Sequence, residues 1–116
     1  MARDKLLLLK PGFMDKDQGP CYCPGCATLE GLLSFYPQLR DALDVRYLDF
    51  PRPRPEVIAE IGAENQGLPV LVLYAPAPAE ALNELDVREW NGRRFLQNPT
   101  DIGRYLARTQ GSDEPH

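Results

Sequence analysis

Histidine is almost missing from this chain: the single copy, His116, is the last residue. Cysteine is scarce too, with three copies, all between positions 21 and 26. A zinc site built on these thiols would lack the fourth ligand that structural zinc usually takes, and an iron–sulfur cluster would need an outside ligand as well. Positive charge is in the minority, 13 basic against 17 acidic residues, for a net charge of -4. That balance argues against a non-specific nucleic-acid partner. Long apolar runs are lacking: nothing approaches the roughly 20 residues of a membrane span, so no membrane partner is expected. The amino terminus carries Arg3 and Lys5 but only four leucines before Lys10. A signal-peptide core needs roughly 7 to 15 apolar residues. The expected location is therefore cytoplasmic, where clustered cysteines point to redox chemistry or metal rather than to structural stapling.

What is present describes one globular α/β domain. Hydrophobic residues make up 43% and charged residues 26% of 116 positions, enough to bury a core. The expected domain covers 1–109, with 110–116 as a flexible tail. Proline is frequent, with 12 copies, and mostly marks element boundaries.

Lys5 to Lys10 reads as a first strand, its four leucines suiting a position buried on both faces. Pro11-Gly12 stops it. Phe13 to Pro20 reads as a polar loop leading to the cysteines. A helix is expected from Pro24 to Tyr36, with Pro24 at its first position and Leu29, Leu32, Leu33 and Tyr36 on one face. Val45 to Phe50 reads as a second strand. Pro51 to Pro55 reads as a rigid connector on which Arg52 and Arg54 are solvated charges. A helix with Val57, Ile58 and Ile61 inward follows, ended by Gly62 or Gly67. Leu68 to Tyr74 is the third strand, begun by Pro69, where a cis bond would suit a turn. Trp90-Asn91-Gly92-Arg93 signals a type I′ hairpin, returning through Arg94-Phe95-Leu96. Asn98 or Thr100 caps a last helix, with Asp101 in its first turn and Ile102, Tyr105 and Leu106 inward. The expected order is β-α-β-α-β-β-α, a mixed sheet flanked by helices.

The chemistry lies in Cys21-Tyr22-Cys23-Pro24-Gly25-Cys26. Cys23 and Cys26 sit one helical turn apart at a helix start, within disulfide reach. Free amides and partial positive charge at that start favour a thiolate. Cys23 is the expected nucleophile, and Cys26, deeper, the resolving thiol that releases the partner from a mixed disulfide. Cys21 could form an alternative disulfide, take up glutathione or, as the simplest reading, be a passenger.

These residues resemble the thioredoxin-like superfamily over about Lys5 to Arg108. Cys23-Pro24-Gly25-Cys26 is similar to its redox motif, with proline after the first cysteine as in glutaredoxins. Leu68-Pro69-Val70 is similar to its cis-proline segment, which accepts a partner's backbone. Thr100-Asp101-Ile102 with Tyr105-Leu106 resembles the helix start that binds the glutathione carboxylate in glutaredoxins and glutathione-transferase amino-terminal domains. The chain departs from these patterns at Tyr22, where tryptophan is usual, at Leu68, where threonine or valine is usual, and at Gln97-Asn98-Pro99, where paired glycines are usual. It resembles most a bacterial family of small thioredoxin-like proteins without assigned function, through Leu8-Leu9-Lys10-Pro11-Gly12-Phe13, Tyr-Cys-Pro-x-Cys and the stretch Glu64 to Leu73.

The resemblance implies a thioredoxin-like fold and a thiol-disulfide oxidoreductase. Cys23 and Cys26 would be catalytic, and Tyr22, Leu68, Pro69, Thr100 and Asp101 would contact substrate. The partner would be a protein disulfide or a low-molecular-weight thiol, with glutathione as a possible co-substrate, no tightly bound cofactor and no assigned metal ligand. The oligomeric state stays open. Two alternatives stand beside it: a non-catalytic module binding peptide or glutathione through Pro69 and Thr100, and a metal-binding protein using the cysteine cluster.

Overall fold

The first strand, β1 (Lys5–Leu9), has covered faces and paired edges in a computed structural model that describes residues 2–116. Leu6 and Leu8 point into one core and Leu7 into another, each no more than 1% exposed. Each buried leucine contributes about 1.5–3 kcal/mol, and a one-residue slip would exchange the two cores' side chains. The register of β1 is thereby tightly specified.

Its neighbours are β4 (Asp44–Leu48), parallel with Leu9 opposite Leu48, and β5 (Val70–Val72), antiparallel with Leu7 opposite Val70. The hairpin β6 (Arg88–Trp90) and β7 (Arg93–Leu96) completes a five-stranded mixed sheet in the order β4-β1-β5-β7-β6. Asn91 and Gly92 both have positive φ, 49° and 78°, as the I′ turn requires.

Helices cover both faces. On one, α1 (Pro24–Phe35) and α4 (Pro99–Gln110) bring Cys26, Leu29, Leu33, Ile102, Tyr105 and Leu106 against Leu6, Leu8, Leu71 and Leu96. On the other, α3 (Pro55–Ile61) brings Val57 and Ile61 against Leu7, Val70, Val72 and Phe95. Gly62 ends α3 at φ +88°, and a Cβ there would meet the Trp90 indole nitrogen at 2.6 Å. Among the described residues no helix is long and apolar enough to cross a membrane.

The expected order lacks the outgoing hairpin strand β6, and it also lacks a ribbon and a short helix. Phe13 to Pro20 is not a plain polar loop. It forms a ribbon of β2 (Phe13–Asp15) and β3 (Gln18–Cys21), turning at Lys16 with φ 56°. Its anchor is distant in sequence: the Phe13 ring stacks on Phe50 with centroids 4.3 Å apart. A five-residue helix, α2 (Gln38–Ala42), follows Pro37 and is pinned by the fully buried Leu39. It is too short to show a helical period. Residues 111–116 return along α1 and α4, with Ser112 buried and the Tyr36 hydroxyl donating to Asp113 at 2.6 Å.

One buried charge ties three strands together. Asp4, 3% exposed, accepts from the Tyr74 and Ala75 amides, both at 2.7 Å, while its own carbonyl accepts from Asp44 N–H at 2.9 Å. Asp4→Ala leaves two amides unmatched and should lower the urea unfolding free energy by about 2 kcal/mol. Asp4→Asn keeps an acceptor and should cost less than half of that. A loss under about 0.5 kcal/mol for the alanine variant, the range of ordinary surface changes, would show that water replaces the carboxylate.

Candidate functional site

Antiparallel pairing of β1 with β5 ends at Leu7–Val70. Continuing that register by two residues would set Leu9 opposite Leu68. The Lys10 amide points the other way, to Leu48 of β4, so the Leu9 amide faces the place where β5 has ended. Backbone polar groups in such a place need partners. The two sulfurs supply them: Leu9 N–H donates to Cys26 Sγ at 3.4 Å, and Cys23 Sγ donates to the Leu68 carbonyl at 3.7 Å. The dithiol fills the rung that would follow Leu7–Val70.

The helix start sets the sulfurs there. Cys23 is the residue that caps α1, with extended backbone (φ -82°, ψ 117°), and Pro24 is the first helical residue. Cys26 N–H donates to Cys23 Sγ at 3.1 Å, so sulfur does what a serine or aspartate oxygen does at other helix starts. Cys26 is 4% exposed, and its thiol is pushed up to about 12, first by burial and next by its bond to Cys23, against an ordinary 9.0. The folded chain holds this proton more tightly than the unfolded one. The stability it contributes is whole below about 9 and is lost as pH rises towards 12.

Leu68-Pro69 is a cis peptide, with Leu68 half-buried and Pro69 buried. Gly25 brings that segment close: a Cβ on Gly25 would lie 2.9 Å from Pro99 Cγ and 3.1 Å from Pro69 Cδ. Beside the thiols opens a mostly apolar groove of about 450 Å³, walled by Leu9, Pro11, Tyr22, Ala27 and both sulfurs. Tyr22 is 63% exposed at its rim. The polar end holds Glu30 and Tyr47. The Tyr47 hydroxyl donates to Glu30 at 2.6 Å and Arg40 reaches both. The Tyr47 hydrogen bond first, and then Arg40, hold the Glu30 carboxyl below its usual range.

Cys23, Cys26, Tyr22, Leu68 and Pro69 thus come together. Thr100 and Asp101 lie at the α4 start, across Pro99 from Gly25. Thr100 is exposed and lines a different groove, between α1 and α4. Asn98, not Thr100, caps α4, accepting from Asp101 N–H at 3.1 Å. The Asp101 carboxylate is 8% exposed and is occupied by Asp86 N–H at 3.0 Å and by Arg104 at 3.3 Å. Cys21 is half-buried at the end of β3, opposite Phe13. Among the described residues no three His, Cys, Asp or Glu side chains are grouped to hold a metal ion.

Two residues escaped the sequence reading. Gly25 is a helix-start glycine like many, and only the approach of two prolines reveals its need. Arg54 was expected on a solvated connector with Arg52. Arg52 is exposed, but Arg54 is 5% exposed, drawn inward because Phe50 and Gln66 turn carbonyls towards its guanidinium. No local signal distinguishes the two arginines.

A family model described as "Protein of unknown function (DUF3088)" matches residues 3–114, so the chain belongs to that family. No curated protein and no solved structure matches it.

Two outcomes test this geometry. At pH 8, iodoacetamide followed by peptide mass analysis should modify Cys23 well before Cys26, whose labelling should speed up only above pH 9. Equal labelling at pH 8 would contradict the buried, protonated Cys26. Separately, Gly25→Ala sets two effects against each other. Loss of glycine freedom stabilises by about 0.4–1 kcal/mol, whereas overpacking against two rigid proline rings costs about 1–3 kcal/mol. Net destabilisation is expected in urea titration, and a more stable variant would mean that the rings do not pack here.

Proposed function

We propose that this member of the DUF3088 family is a thioredoxin-like thiol-disulfide oxidoreductase that works through Cys23 and Cys26. The observation that carries the reading is the pair of sulfurs at the α1 start, one capping the helix and one buried behind it, facing the Leu68 carbonyl and Pro69. The fold reading is supported by a parallel β1–β4 pair joined through α1, followed by β5 antiparallel to β1 and β7 antiparallel to β5.

In the proposed reaction the Cys23 thiolate attacks a substrate disulfide. A Cys23–substrate bond forms, and the departing sulfur leaves as a thiolate and takes up a proton. Cys26 then gives its proton to solvent and attacks Cys23 Sγ. The mixed disulfide breaks, the second substrate sulfur leaves and is protonated, and the Cys23–Cys26 disulfide remains. Two electrons pass from the dithiol to the substrate. A low-molecular-weight thiol such as glutathione would return them in the reverse sequence. The division of labour follows from burial: Cys23 meets substrate first, and Cys26 keeps its proton until the mixed disulfide presents a target inside the site.

The substrate is a protein or small disulfide with apolar surface next to its sulfur, because the groove beside Cys23 is lined mainly by carbon. The compartment proposed is the cytoplasm, where a reducing poise would keep the dithiol charged with electrons.

Cys23→Ser should abolish reduction of a disulfide substrate, while Cys26→Ser should still attack and accumulate the mixed disulfide, seen as added mass on the intact protein. In glutathione buffers the parent chain should lose two thiols reversibly as the buffer becomes oxidising. Full activity in Cys23→Ser, or a pair that stays reduced in oxidising buffer, would refute the assignment.

A further inference from the structure

Arg54 is a buried cation with no anion beside it. It is 5% exposed, and among the described residues no carboxylate lies within ion-pair distance of its guanidinium. The nearby acids are engaged elsewhere, Asp49 with Lys10 at 3.1 Å and Glu56 with Arg46 at 3.9 Å. A charge taken out of water without a counter-charge is costly unless other dipoles face it. Main-chain dipoles offset part of this cost. Nε and Nη2 donate to the Phe50 carbonyl at 3.0 and 2.6 Å, Nη1 donates to the Gln66 carbonyl at 2.6 Å, and the guanidinium lies over the Phe50 ring. The Arg54 amide also donates to the Gln66 side chain at 2.8 Å.

These bonds tie Arg54 to the site from two directions. Gln66 precedes by two residues Leu68, whose carbonyl faces Cys23. Phe50 follows β4, whose last residue pairs with Leu9, and the Leu9 amide holds Cys26. Arg54 therefore stands where both supports of the dithiol converge. Its charge favours the charged form of Cys26 against the larger effects of burial and the Cys23 bond, while burial first and Arg52 next hold its own guanidinium below the usual range, with both sulfurs opposing that shift.

We propose that Arg54 is a positioning residue of the dithiol site: it fixes the segment facing Cys23 and is the cation that stabilises the thiolate formed at Cys26 as a mixed disulfide resolves. This rests on the oxidoreductase reading above. The other charged or titratable groups around Cys26 do not supply such a cation. On α1, Cys23 contributes negative charge when ionised, and Glu30 is matched by Arg40. From β4, Tyr47 is bound to that same pair. Beyond β1, Lys10 is bound to Asp49. Next to Arg54, Arg52 is exposed to solvent and repels it.

The test uses the full chain with Cys21→Ser, so that two thiols remain. Dithionitrobenzoate, an aromatic disulfide, releases one coloured thiolate as Cys23 attacks and a second as Cys26 attacks Cys23. The second release follows ionisation of Cys26 and is read across pH. Arg54→Met should slow it about tenfold at neutral pH, the effect of one lost opposite charge, and should move its pH profile to the alkaline side. Arg54→Lys, which keeps the charge but not the fork of hydrogen bonds, should keep the parent's pH profile. If circular dichroism shows Arg54→Met unfolded, the lysine variant decides alone, and an alkaline displacement there overturns the proposal. A second release slowed equally at every pH in Arg54→Met would show a purely structural clamp and overturn it too. Failure of the parent chain to give any second release would instead overturn the oxidoreductase reading, and this proposal with it.

Discussion

β1 has no free side, and the site follows from that. Both faces of Leu6–Leu8 are covered and both edges are hydrogen-bonded, so the strand cannot shift without exchanging two cores. Where it runs out at Leu9, its amide must find a partner. The β1–β5 ladder has stopped one rung earlier, at Leu7–Val70. The Leu9 amide and the Leu68 carbonyl find their partners in Cys26 and Cys23 instead. The sheet and the dithiol are in this sense one hydrogen-bonded structure.

The same arrangement separates the two thiols chemically. The capping position leaves Cys23 half-buried at the mouth of an apolar groove, with a helix amide on its sulfur. Cys26, one turn further in, is walled by the leucine core and holds its proton against rising pH. Two residues of one type, three apart, thus come to differ first through burial and next through their hydrogen bonds, which suits the proposed order of attack. Gly25 makes room for the two prolines, because a Cβ there would press on Pro99 and crowd Pro69.

Much of the fold was legible because its signals are local. Four leucines ended by Pro11-Gly12 predict a doubly buried strand, and β1 is one. Asn91-Gly92 predicts an I′ turn, and both residues have positive φ. The apolar faces of α1, α3 and α4 follow the helical period. The ribbon Phe13–Cys21 was not legible, since its strands are short and exposed and its anchor is Phe50, far along the chain. Nor was α2, whose single inward residue, Leu39, cannot establish a period.

The amino-acid sequence by itself determined the strand and helix periods, the proline and glycine boundaries, and the placing of Cys23 and Cys26 at a helix start, because each depends on neighbours within a few residues. Only the tertiary structure decided what surrounds them. It brought Leu68 and Pro69 to Cys23, set Thr100 on another groove, committed the Asp101 carboxylate to Asp86 and Arg104, and drew Arg54 inside while Arg52 stayed in water. Burial and hydrogen-bond partners depend on segments far apart in the chain, and no local pattern encodes which of two like residues will face a carbonyl rather than solvent.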